Sequence, residues 1–253
     1  MGRDAQRLQG TALACRQAGA PVTEISPRDL TSRAALRGLC AALQSSGLDI
    51  LVNNAGVAPS APLERTDDVL WESTHALNVF APFALCREVM PGMVTRGYGR
   101  IINVASTAAL QGFAYTAAYT SSKHALLGLT RALDAELRQR QPGADVTVNA
   151  VCPGFVDTEI LRPTIDRMVR GGLTEQQARE KLGALNRGGR LHTTDEVAQA
   201  VLALAVELPG RTRGAAIELD VASGAGEPRD EPGPHEAPGR PRPGARGRGG
   251  AIG

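Results

Sequence analysis

Residues Arg100–Leu133 read RIINVASTAALQGFAYTAAYTSSKHALLGLTRAL. The opening Ile101-Ile102-Asn103-Val104 is apolar and largely β-branched, the pattern of a strand buried on both faces. A loop of small residues holding Ser106 follows. The pattern then becomes helical and carries Tyr119 and Lys123, four residues apart and therefore on one helix face. Tyr98, Tyr115 and Tyr119 are the only tyrosines, and Lys123 and Lys181 the only lysines. The pairing is therefore not a by-product of abundance.

A hydroxyl at a strand end and a phenol beside an ammonium make a proton-transfer set. A free phenol has a pKa of about 10 and supplies little phenolate at neutral pH. A fixed ammonium nearby favours the anion and is expected to lower that pKa. Tyr119 so tuned would give a proton to a carbonyl oxygen or take one from an alcohol, with Ser106 holding the same oxygen. Further along, Asp49-Ile50-Leu51-Val52 reads as a short strand running into Asn53-Asn54-Ala55-Gly56, a turn of small residues that admits close backbone approach.

Through these motifs the chain resembles the short-chain dehydrogenase/reductase family. It has the family's Ser, its Tyr-x-x-x-Lys thirteen residues on, and its Asn-Asn-Ala-Gly. The resemblance spans roughly Arg3 to Gly224. It implies an α/β fold with a Rossmann-type doubly wound parallel sheet in one domain. It also implies hydride transfer with NAD(H) or NADP(H). Tyr119 would be the acid/base, Ser106 would bind the substrate oxygen, and Lys123 would lower the Tyr119 pKa and hold the nicotinamide ribose. Asn78, in Leu77-Asn78-Val79, matches the fourth catalytic position, which kinks its helix and holds a proton-relaying water. Asn54, Ala55 and Gly56 would meet the adenosine half of the cofactor. Pro153 and Gly154 would shape the loop whose Val156 and Thr158 bind the carboxamide. Asp29 would contact the adenine, with a turn or helix cap as its ordinary alternative. Arg3, beside Gly2 where NAD-preferring members often carry Asp, favours NADP, with NAD as the alternative.

One family element has no counterpart. No Gly-x-x-x-Gly-x-Gly turn precedes Asp29, although that turn brings backbone N–H groups and a helix N-terminus to the pyrophosphate. About forty residues of a complete βαβ unit are missing by this measure. The expected sheet thus lacks the first βα unit, leaving a strand at 21–25 without its neighbour. A late-assigned start, a fragment or a compromised protein would each account for this. The alternative to an enzyme is a truncated, non-catalytic family member or subunit unable to bind cofactor.

The rest of the chain fits around this core. Residues 1–18, 32–44 and 67–90 read as helices, the last with Trp71, Leu77, Val79, Phe80, Phe83 and Leu85 as buried candidates. The helix through Tyr119 runs to about Arg138, with a stripe of Ala125, Leu126, Leu129, Leu133 and Leu137. Asp145–Val151 is a strand. Residues 160–190 are polar and helical, the family's substrate lid, and capping boxes stand at Thr174/Gln177 and Thr193/Glu196. Gly214–Val221 is a last strand. From Gly224 to Gly253 Pro, Gly and Arg dominate, so the domain is expected to span 1–223 and the tail 224–253 to be disordered.

Composition narrows the partners. The 253 residues are 42% hydrophobic with a net charge of +2, which suits a globular domain and gives no reason to expect nucleic acid. Cys15, Cys40, Cys86 and Cys152 have no paired spacing, so no metal site or disulfide framework is expected. No apolar run has the length of a membrane span and no signal-peptide core is present, which points to the cytoplasm. The resemblance implies a homodimer or homotetramer built through the helices at 67–90 and 119–138. The expected substrate is a small carbonyl/alcohol pair, with a 3-oxoacyl thioester or polyketide-type ketone as the specific guess.

Overall fold

A computed structural model gives the fold and describes residues 1–44, 46–207 and 212–219. Four strands form one sheet: β1 (Ile50–Asn53), β2 (Tyr98–Val104), β3 (Asp145–Cys152) and β4 (Ala216–Glu218). They are all parallel and lie in chain order. Parallel strands need crossover connections, and helices supply them here. The described helices are α1 (Ala5–Gln17), α2 (Arg33–Leu43), α3 (Asp68–His75), α4 (Ala81–Arg96), α5 (Ala117–Arg140), α6 (Arg162–Arg170), α7 (Glu175–Gly183) and α8 (Thr194–Leu202).

Strand alternation sends neighbouring side chains to opposite layers. Ile101 joins Leu51, Val146 and Val148 under α2 and α4, through Leu36, Leu39, Leu85, Val89 and Met93. Ile102 points the other way, joining Val151 and Ile217 under α8 and the turn after it, through Ala200 and Leu204. The sheet is therefore covered on both faces, as an all-parallel sheet must be. Helix α4 lies so close to β2 that a Cβ at Gly99 would stand 2.5 Å from the Met93 sulfur and 2.6 Å from its Cβ. Met93 is fully buried and cannot swing aside. Gly99→Ala is expected to lower the unfolding free energy by about 1–3 kcal/mol through overpacking, read as an earlier urea midpoint.

Several expectations hold in place. Both capping boxes form, Thr174 with Gln177 and Thr193 with Glu196. The strand at 145–151 and the helices at 1–18 and 32–44 agree within a few residues. Others need correction. No strand forms at 21–25. Val22 and Ile25 are exposed, and the pairing there is a single parallel bridge between Gly2 and Pro27, closed by the Arg28 N–H on the Gly2 carbonyl at 2.7 Å. A strand persists only where a neighbour takes up its successive backbone groups, and one bridge does not do that. Trp71 is not buried; it is 43% exposed and stacks on His75 at 4.5 Å. Ala125 faces solvent rather than joining the apolar stripe. The tail at 224–253 and the Asp220-Val221 end of the expected last strand lie outside the described residues. Among the described residues no helix is long and apolar enough to cross a membrane.

Candidate active site

The carboxyl ends of β1, β2 and β3 lie side by side, the place where open α/β sheets bind ligands. Asn53, at the end of β1, donates its amide to Asn103 Oδ1 of β2 at 2.8 Å. Asn103 in turn donates to Thr130 Oγ1 of α5 at 2.9 Å. All three side chains are buried, so this chain of hydrogen bonds fixes two strand ends and the helix carrying Tyr119 and Lys123 in one frame. The β2–β3 ladder continues past β2 through Ala105 N–H to the Val151 carbonyl and Thr107 N–H to the Pro153 carbonyl, each at 2.8 Å. Ser106 is thereby held beside Cys152 and Pro153.

Ser106, Tyr119 and Lys123 meet. Ser106 is 8% exposed, caps the short turn after it through the Ala108 N–H, and stands beside the Tyr119 phenol, whose pKa it lowers. The Lys123 ammonium lies 5.8 Å from the Tyr119 ring centroid and donates to the Val104 carbonyl at 2.8 Å. That bond uses one of the ammonium's three donors.

Asn78 sits in a π-helical turn, Ala76–Phe80, between α3 and α4. The extra residue in such a turn swings a side chain off the regular helix face. Asn78 accepts from the Val57 N–H at 3.0 Å. It donates to the Val57 carbonyl and to Ser122 Oγ, both at 2.9 Å. Its amide therefore braces the segment after Asn54-Ala55-Gly56 against α5. Gly56 completes this corner. A Cβ there would lie 3.2 Å from Asn78 Oδ1 and 3.6 Å from Lys123 Nζ, so a side chain would fill the space in front of the ammonium.

The electrostatics correct one expectation. Tyr119 is not made acidic. Burial comes first and pushes its pKa above the ordinary phenol value; the Ser106 hydrogen bond pulls it back in part, and Cys152 adds to the rise. Burial also draws Lys123 down to about 8, with Cys152 as a small opposing influence. Desolvation disfavours both charges. Cys152 itself is pushed up to about 11 by burial and stays a neutral thiol, consistent with packing rather than nucleophilic chemistry.

The remaining predicted residues are placed around this centre. Pro153 is buried, and Gly154, Val156 and Thr158 are half-buried on the loop after β3. Val156 pairs with His192, and Thr158 Oγ1 donates to the Val156 carbonyl at 3.3 Å. Asn54 and Ala55 are exposed at the end of β1. Arg3 and Asp29 form a separate grouping. Asp29 accepts from the Thr31 N–H at 2.9 Å and the Thr31 hydroxyl at 2.7 Å. Those bonds, then Arg3, hold its carboxyl below its usual value, so it serves as a turn cap in this structure. Among the described residues no metal-binding cluster of His, Cys, Asp and Glu occurs.

The helices after this loop pack against it. Phe155 meets Phe113 edge-on at 5.9 Å, and packs with Leu161, Ile165, Ala178 and Leu182. Arg162 bridges to Asp166 and Glu175, Arg179 bridges to Glu175 and Asp157, and Arg167 reaches Ser60. Sequence reasoning missed Ser122, although its place one residue before Lys123 was a usable signal. It also missed Asn186, for which no local pattern gave notice.

The model of the family described as short chain dehydrogenase matches residues 1–168. The chain belongs to this family. As a short-chain dehydrogenase it is an oxidoreductase of carbonyl/alcohol chemistry. A D-beta-hydroxybutyrate dehydrogenase of Cupriavidus necator is 34% identical over 196 residues, covering 76% of this chain and 74% of that protein. A crystallised actinorhodin polyketide ketoreductase variant with NADPH has a TM-score of 0.77 at 30% identity, covering 86% of this chain and 84% of that one. Levodione reductase shares the fold, with a TM-score of 0.75 at 21% identity.

Proposed function

We propose that this short-chain dehydrogenase interconverts a ketone and a secondary alcohol using NADP(H), with NAD(H) as the alternative cofactor. The observation that carries the reading is the meeting of the Ser106 hydroxyl, the Tyr119 phenol and the Lys123 ammonium at the carboxyl ends of three parallel strands. The nicotinamide half of the cofactor fits this corner: Gly56 leaves space before Lys123, and the ammonium retains donors for a ribose diol. When bound, the dinucleotide supplies hydride at its ring C4 and, when oxidised, a positive charge.

Each residue then has a definite task. Ser106 Oγ–H donates to the carbonyl oxygen, and Tyr119 delivers the proton that this oxygen needs as it becomes a hydroxyl. Lys123, titrating near 8, is poised to resupply Tyr119. Asn78 keeps Val57 and α5 in register behind Lys123. Val156 and Thr158 orient the carboxamide, so that one ring face meets the substrate. Arg3 and Asp29 belong to the adenosine half. Phe113 and Phe155 form an apolar wall suited to an acyl chain, which favours a 3-oxoacyl or polyketide-type ketone as substrate. The relatives named as a hydroxybutyrate dehydrogenase and a polyketide ketoreductase support the same choice. A homodimer or homotetramer through the α4 and α5 faces belongs to this reading.

The test is loss of reduced-nicotinamide absorbance with acetoacetate, an acetoacetyl thioester and a bulky cyclic ketone, each with NADPH and NADH. Turnover of at least one 3-oxo compound is expected, faster with NADPH. No turnover of any ketone with either cofactor contradicts the reading. Fluorescence titration of the same preparation with NADPH is expected to show binding.

A further inference from the structure

The loop after β3 is held from behind by one side chain. Asn186, 7% exposed, accepts from the Phe155 N–H at 2.8 Å and donates to the Phe155 carbonyl at 2.9 Å. Its second amide hydrogen goes to the Arg190 carbonyl at 2.7 Å. The side chain thus imitates a neighbouring strand, meeting both backbone groups of one residue. The backbone of His192 extends the pairing. Its N–H donates to the Phe155 carbonyl and its carbonyl accepts from the Asp157 N–H, both at 2.9 Å. Residues 155–157 are therefore a short extended segment whose orientation is set by Asn186 and His192.

Gly154 is matched to this arrangement. A Cβ there would fall 2.1 Å from Asn186 Oδ1 and 2.9 Å from its Cγ, a distance no side chain tolerates. Asn186 occupies the volume that any larger residue at position 154 would need. The lid adds a second tether on the far side, where Arg179 of α7 bridges to Asp157. That bridge is partly exposed and therefore weak. The Asn186 bonds are buried, where losing a partner strands a backbone group without water.

We propose that Asn186 is a positioning residue for the cofactor: by clamping the Phe155 backbone it aims Val156 and Thr158 at the nicotinamide carboxamide. The inference rests on the functional reading above and assigns the loop's orientation to a side chain from the lid. Two isosteric changes isolate it. Asn186→Asp keeps the shape and the acceptor but cannot donate to the Phe155 and Arg190 carbonyls. Asn186→Leu keeps the approximate volume and removes every hydrogen bond.

The wild-type chain and both variants are titrated with NADPH and with 2′,5′-ADP, which lacks the nicotinamide half. Amide hydrogen exchange of residues 154–158 is followed without ligand. The clamp predicts NADPH binding weakened about tenfold, the scale of one to two lost hydrogen bonds. Binding of 2′,5′-ADP stays unchanged, and exchange rises at 154–158 while β2 and β3 keep their protection. Gly154→Ala should weaken NADPH to the same degree by displacing Asn186, and adding Asn186→Ala should cause no further loss, since the clamp is already broken. Equal weakening of both ligands, or unchanged exchange in a variant that still folds, overturns the clamp. A wild-type chain that binds neither ligand overturns the functional reading, and the exchange result still reports on whether Asn186 orders the loop.

Discussion

Tyr119→Phe is expected to lower the rate of ketone reduction by about 10²–10⁴-fold, the range that a positioned general acid contributes. The change removes one oxygen and leaves the ring in its packing, so the fold and NADPH affinity should be preserved. Ser106 keeps the Ala108 N–H, which limits the structural consequence. The discriminating measurement is kcat with saturating ketone, set beside an NADPH titration of the same preparation. A Phe variant within a few-fold of wild type would falsify the assignment of Tyr119 as proton donor. The pH dependence carries the same logic. Tyr119 is held in its neutral form beyond the ordinary phenol range, while Lys123 loses its proton near 8. Reduction consumes a proton that this pair supplies, so its rate should be level below pH 8 and fall above it. Alcohol oxidation needs the opposite forms and should rise with pH.

Lys123→Met should abolish the pH 8 step and most of the activity, yet make the protein more stable. The ammonium is buried and its pKa is drawn from 10.5 to about 8. A folded state that binds a proton less readily than the unfolded chain is penalised wherever the unfolded chain is protonated. For a lowered lysine the penalty is full below pH 8. It shrinks as pH rises from 8 and vanishes above 10.5. Each pKa unit corresponds to about 1.4 kcal/mol, so the penalty near neutrality is of order 3 kcal/mol. The Val104 carbonyl would lose its donor in the variant, which offsets part of this. A net gain of about 1–2 kcal/mol at pH 7 is expected by urea unfolding, narrowing as pH approaches 10. A variant less stable than wild type at pH 7 would mean that Lys123 holds the fold rather than serving the site.

The parts of this architecture that were legible in the sequence are those written in local pattern. Ile101-Ile102-Asn103-Val104 could only be a buried strand, and Tyr119 and Lys123 four apart could only share a helix face. The two capping boxes were readable because two residues three positions apart carry the whole device. The direction of the Tyr119 shift was not readable, because it depends on how completely the fold excludes water. Sequence spacing brings the ammonium near the phenol but does not report that Lys123 is buried and the phenol largely shielded from water. The π-helical turn at Asn78 was visible only as an amide in apolar surroundings; its partner, the Val57 backbone, comes from another element. Asn186 lay beyond any such signal, because the Phe155 backbone it clamps stands about thirty residues earlier. The strand expected at 21–25 failed for a related reason. Its residues suit a strand, but pairing is decided by what lies alongside.

The most direct test follows deuterium from NADPH labelled at ring C4 into the product formed by the wild-type chain with a 3-oxo substrate. The account predicts one deuterium on the new carbinol carbon, delivered from a single face of the ring, and almost none with Tyr119→Phe. Product without label, or labelled product formed equally well by the Phe variant, would contradict it.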